Sequence, residues 1–144
     1  MDKIRRILRD TEVIAVVGIS PNPQRDSYRV ARYMSSKGYR IVPVNPTVKE
    51  VFGEKAYPSL RDIPDQVDMV NVFRNPEHLP DIVDAAIHVG AKVLWTQLGV
   101  VHRESTLRAN DAGLDVVTDR CLMVEHQSQE SEKLRPYEIY TGTG

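Results

Sequence analysis

The chain has 144 residues, 41% of them hydrophobic and 27% charged, with a formal net charge of −1. That is the length of one domain with a substantial core, and the charge balance gives no basis for a nucleic-acid surface, which is ordinarily strongly basic. No apolar run approaches the roughly 20 residues that span a bilayer, and the single cysteine, Cys121, allows neither an intrachain disulfide nor a cysteine-cluster metal site.

The charged start Met1-Asp2-Lys3-Ile4-Arg5-Arg6 lacks the apolar core of a signal peptide, so a cytoplasmic protein is expected. Ile4, Ile7 and Leu8 fall at helical spacing and predict a short amphipathic helix over residues 2–10. Val13-Ile14-Ala15-Val16-Val17 reads as a buried first strand. Gly18-Ile19-Ser20-Pro21 turns it into a helix from about Asp26, in which Val30, Ala31, Tyr33 and Met34 keep helical period and Gly38 is a natural stop. Arg40-Ile41-Val42-Pro43-Val44 is a second strand closed by Asn45-Pro46; Pro43 has no N–H and argues for a strand end or an irregular site there. Residues 49–58 read as a loop, and Leu60 to Ile63 as a single helical turn.

Val67 to Phe73 is the third strand, carried by the β-forming pairs Met69-Val70 and Val72-Phe73. A helix starting near Pro76-Glu77 puts Leu79, Ile82, Val83, Ala86 and Ile87 on one face and ends at Gly90. Lys92 to Thr96 is the fourth strand, Glu104 to Asp111 a helix ended by Gly113, and Leu114 to Val117 the fifth strand. From about Ser128 the chain is polar and without core periodicity. The expected division is a domain of residues 1–128 and a polar, flexible tail of residues 129–144.

Strands and helices alternating at about 25–30 residues per unit point to α/β architecture: a Rossmann-like, doubly wound, five-stranded parallel sheet with helices on both faces. The expected strand order is 3-2-1-4-5, with a ligand beyond the carboxyl ends of the strands at the switch point beside the first one. The segments expected to converge there are Gly18–Asp26, Val44–Pro46, Phe73–Asn75 and Thr96–Gly99.

Each segment offers chemistry. The turn after the first strand presents backbone donors, the Ser20 hydroxyl and the Arg25 guanidinium, a group suited to bidentate phosphate contacts. Gly18 does not, however, open a G-x-G-x-x-G fingerprint, since Ser20 and Asn22-Pro23 stand where further glycines belong. An NAD site ordinarily carries a carboxylate near the end of the second strand; here stand Asn45, able to bond a ribose or adenine edge, and Pro46, able to lie against a base. Phe73 and the Arg74 stem can stack on adenine, while Gln97 and the Gly99 backbone can meet a ligand leaving the phosphates. Trp95 reads as a core residue whose N–H is satisfied. His78, His88, His102 and His126 are scattered, Glu125-His126 is a weak acid–base pairing, and no metal-ligand spacing is present.

A set of ordered motifs then carries a resemblance. Gly18-Ile19-Ser20, Ser27-Tyr28-x-Val30-Ala31-x-Tyr33, Pro43-Val44-Asn45-Pro46, Val72-Phe73-Arg74, Trp95-x-Gln97-Leu98-Gly99 and Asp119-Arg120-Cys121 resemble the small bacterial and archaeal CoA-binding proteins. Those stand-alone Rossmann-type domains are similar to the N-terminal, CoA-binding domain of the succinyl-CoA synthetase α subunit, and the resemblance spans about residues 2–127. It implies coenzyme A as the ligand, with its phosphates on Gly18, Ile19 and Ser20 and the helix start. It further implies a groove lined by Asn45, Pro46, Phe73, Arg74, Gln97, Leu98 and Gly99. The synthetase's phosphorylated histidine lies in a further domain with no counterpart here, so ligase activity is not implied.

The expected function is binding of CoA or an acyl-CoA without catalysis by this chain alone, with a protein partner or a homo-oligomer possible and no nucleic acid or membrane involved. The alternatives are an NAD(P)-dependent oxidoreductase on the same fold, which the missing glycines and carboxylate oppose, and an interaction module with a vestigial groove.

Overall fold

Five apolar residues in succession suit a strand covered on both faces, and Val13–Val17 forms it (β1). The computed structural model describes residues 2–133. Ahead of β1 lies helix α1 (Lys3–Asp10), its start closed by Asp2, whose carboxylate accepts the Arg5 N–H at 2.8 Å. The chain continues through α2 (Asp26–Ser36), β2 (Arg40–Val44), a small hairpin β3 (Glu50–Val51) and β4 (Glu54–Lys55), and a 3-10 turn at Leu60–Asp62. Then come β5 (Met69–Val72), a 3-10 turn at Pro76–His78 running into α3 (Leu79–His88), β6 (Val93–Thr96), α4 (Arg103–Asp111), β7 (Asp115–Val117) and α5 (Leu122–Lys133).

The main sheet is parallel throughout, in the order β2-β1-β5-β6-β7. Counting only these strands the order is 2-1-3-4-5, which corrects the expected 3-2-1-4-5. The third strand lies directly against the first: the Asp68 N–H donates to the Val13 carbonyl at 3.0 Å and the Phe73 N–H to the Val17 carbonyl at 2.8 Å. The Asp68 carboxylate, nearly buried, fixes the same pairing by accepting the Glu12 and Val13 N–H groups at 3.0 and 2.9 Å.

Alternate side chains of β1 serve opposite layers. Ala15 and Val17 join Val70, Val72, Leu79, Val83, Leu94 and Ala109 on the α3–α4 side. Ile14 and Val16 join Ile7, Val30, Met34, Met69, Trp95 and Leu122 on the α1–α2–α5 side. Trp95 is fully buried, and its indole N–H donates to the Arg120 carbonyl at 2.9 Å.

Pro43 is accommodated inside β2 because that strand is the sheet's edge. Arg40 and Val44 bond toward β1, so the intervening register turns the Pro43 nitrogen outward, where its carbonyl accepts the Tyr57 N–H at 3.0 Å. At the other end of the chain, α5 runs through the expected boundary at 128 to Lys133. Of the expected tail of residues 129–144, the part from residue 134 on lies outside the described residues. Among the described residues no helix is long and apolar enough to cross a membrane.

Candidate functional site

The site is built where β1 and β5 end side by side. Gly18 leaves β1 with φ +87°, in the left-handed region that glycine enters at little cost. Its N–H donates to the Val44 carbonyl at 3.0 Å, and Asn45 ties the turn down again by donating its amide to the Ile19 carbonyl at 2.8 Å. The turn also organises itself: the Ser20 N–H donates to Ser27 Oγ at 2.9 Å, Asn22 N–H to Ser20 Oγ at 3.1 Å, and Gln24 N–H to Asn22 Oδ1 at 2.9 Å. Helix α2 then begins at Asp26, after Arg25, with no side chain closing its first turn, unlike α1 and α4, which are capped by Asp2 and His102. An uncapped start leaves N–H donors and the positive end of the helix dipole facing the turn.

Three clefts meet there. A polar one of about 330 Å³ is lined by Gly18, Ser20, Gln24, Arg25, Asp26, Ser27 and Phe73. Through Asp26 and Phe73 it continues into a more apolar cleft of about 280 Å³ that includes Val30, Gln97, Leu98, Cys121, Met123 and Val124. On the other side of the Gly18 turn, a cleft of about 180 Å³ lies among Val17, Val44, Pro58, Leu60, Ile82 and Ala85, with Ser59, Arg74, His78 and Asp81 supplying its polar groups. The Arg74 stem joins the two sides, since a β-carbon on Gly18 would lie 2.8 Å from Arg74 Cδ.

The residues named from sequence divide by what their side chains do. Gly18, Ser20, Arg25, Phe73, Arg74, Gln97 and Leu98 line the clefts. The Ile19 side chain is fully buried in the α1–α2–α5 core, which leaves only its backbone at the turn. Asn45 braces the turn, and its Oδ1 accepts both the N–H and the hydroxyl of Thr47, at 2.8 and 2.7 Å. Neither Asn45 nor the exposed Pro46 lines the three clefts. Gln97 is buried and structural as well, accepting the Leu122 N–H at 3.0 Å and an amide hydrogen of Asn71 at 3.4 Å. Gly99, at φ +82°, donates its N–H to the Asp119 carboxylate at 2.8 Å, which pins the loop that holds Leu98 out at 67% exposure.

Contributions from α5 and from the 58–60 loop were not anticipated. Among the described side chains of α5 only Leu122 and His126 are deeply buried, and one is polar, so no hydrophobic period marks them. His126 meets Tyr33 of α2, Nδ1 to hydroxyl 2.8 Å, with Glu130 3.8 Å from its other nitrogen. Burial, assisted by Glu130, raises the hydroxyl pKa of both Tyr33 and the neighbouring Tyr39. This cluster packs helices together away from the clefts. Among the described residues no group of three or more His, Cys, Asp or Glu side chains could hold a metal ion.

Comparison with known proteins gives a consistent set of relatives. A family model described as a CoA binding domain matches residues 12–127. The uncharacterized protein YneT of Bacillus subtilis is 41% identical over 124 residues, covering 86% of this chain and 92% of that protein. A solved structure, a hypothetical protein from Pyrococcus horikoshii, superimposes with a TM-score of 0.85 at 45% identity over 87% of this chain and 88% of that one. The ADP-forming acetate–CoA ligase II of Archaeoglobus fulgidus is 30% identical over 81 residues; these make up 55% of this chain and only 12% of the ligase.

Proposed function

The chain belongs to the CoA-binding domain family, and from that premise we propose that its groove binds coenzyme A or an acyl-CoA. One observation carries the reading: a mainly apolar cleft edged by Arg74, His78 and Asp81, a polar cleft and a second mainly apolar cleft follow one another, which is the order of adenine, phosphates and pantetheine along CoA. The base enters between Val17, Val44, Leu60 and Ile82 beside Arg74. The diphosphate rests on the Gly18–Ser27 turn, where the uncapped α2 start and Arg25 offset its charge. The pantetheine arm follows Phe73 and Leu98 toward Cys121 and Met123.

The role is recognition, and any chemistry on the acyl group falls to a protein partner. The ligases that share this domain carry most of their length outside it, so their activity is not transferred to this chain. The oxidoreductase reading lacks its carboxylate at the end of β2, where the Asn45 side chain is already committed to the turn.

Arg25→Ala and Arg74→Ala test the reading by calorimetry with CoA, alongside thermal unfolding. Each variant is expected to lose about tenfold or more in CoA affinity with a melting temperature near that of the wild type. Unchanged affinity in both would remove the ligand from this groove.

A further inference from the structure

Resting on the CoA reading of the groove, we propose that Arg74 and His78 together read the ligand's 3′-phosphate, and that filling this subsite loads a proton onto His78. Arg74 Nη2 lies 3.0 Å from His78 Nε2. A guanidinium has only donors and does not deprotonate, so the imidazole nitrogen facing it must be the acceptor. That contact is the one a ring with its proton on Nδ1 makes. A protonated ring would set N–H against N–H and cation against cation.

The position suits a phosphomonoester. The Arg74 stem crosses Gly18, and its head reaches the cleft of Val17, Val44 and Ile82. The guanidinium thus stands at the junction between the phosphate turn and the base cleft. In CoA the ribose carries its 3′-phosphate between the diphosphate and adenine, at that same junction. A dianion arriving there accepts hydrogen bonds from Arg74 and, once His78 takes a proton from solvent at Nε2, from the imidazolium as well.

The surrounding charges favour coupling of anion and proton. Glu77 Oε1 lies 3.7 Å from His78 Nε2 and stabilises the charged ring. Asp81 lines the same cleft and opposes an anion that arrives without the proton. The opposite wall, Pro58 to Leu60, brings no charged side chain.

Calorimetry with CoA and with 3′-dephospho-CoA, each in two buffers of different ionisation enthalpy, tests this. CoA is expected to bind more tightly than dephospho-CoA, with an advantage that grows about tenfold between about pH 8.5 and pH 6.5. It is also expected to take up about one proton more than dephospho-CoA at neutral to mildly alkaline pH. His78→Gln, which keeps an acceptor for Arg74 but cannot be protonated, should abolish the extra proton and flatten the pH dependence of the advantage. Equal affinity for the two ligands, or equal proton uptake, would overturn the 3′-phosphate reader and leave the groove reading standing. A pH-dependent advantage that persists in His78→Gln would remove His78 from it. Binding of neither ligand would overturn both the reader and the groove.

Discussion

A β-carbon built on Gly18 would lie 2.7 Å from the carbonyl oxygen of Phe73, closer than real side chains approach a backbone oxygen. The turn after β1 and the end of β5 thus close on each other through the one residue type that permits it. Gly18→Ala meets this contact and the positive φ together. It is expected to cost about 1–3 kcal/mol of stability by urea denaturation, and CoA affinity should fall with it because the turn must shift.

Asn45 holds the other side of that turn without lining a cleft, so its removal should loosen the Gly18–Ser20 turn. Asn45→Ala removes three side-chain hydrogen bonds and is expected to lose about 1–3 kcal/mol of stability and to weaken CoA binding several-fold. Denaturation and calorimetry on the same preparation check both halves.

At the helix start, Asp26 places a carboxylate in the polar cleft, where it pairs with Arg29 and competes with a bound anion for the positive end of α2. Asp26→Asn is expected to tighten CoA binding by about two- to fivefold. The gain should shrink at high salt, since the side chain is exposed and its charge is screened. Affinities at low and high ionic strength read this directly.

Two half-buried tyrosines, Tyr33 and Tyr39, bear on stability at alkaline pH. Burial first, then Glu130, raises the Tyr39 hydroxyl above its ordinary 10.0, and the same causes act on Tyr33. A raised folded-state value means the folded protein resists ionisation that the unfolded chain accepts. The stability these groups confer is therefore fully present below about pH 10 and lost as pH rises through the folded-state values. Tyr39→Phe also gives up the 2.6 Å bond to the Leu8 carbonyl. Denaturation across this range should show a wild-type decline above pH 10, and a Tyr39→Phe protein that starts less stable and declines less steeply.

How far the sequence reached follows from what each element writes into it. The strands of the main sheet were legible because burial on both faces demands unbroken apolar runs such as Val13–Val17. Helices α2 and α3 were legible because their buried stripes repeat at helical period. Strand order was not, because pairing of β1 with β5 rests on backbone bonds such as Phe73 N–H to the Val17 carbonyl, and these carry no residue signature. The hairpin β3–β4 turns through Phe52 and Gly53, both at positive φ, with Phe52 where asparagine or aspartate is the usual marker. Within the site, Gly18, Arg25 and Arg74 could be named from their place after strands. That Asn45 and Gln97 are spent on internal bonds depends on partners 26 and 25 residues away, which position in the sequence does not announce. The pairing of β5 with β1 sets Phe73-Arg74 immediately beside Gly18.

A groove that takes CoA should discriminate among adenine nucleotides. Calorimetric titration of the full chain with CoA, acetyl-CoA, NAD, NADP and ATP side by side tests it most directly. CoA or acetyl-CoA is expected to bind well below about millimolar, and NAD and NADP far more weakly. Good binding of NAD or NADP, with no CoA binding below about millimolar, would contradict it.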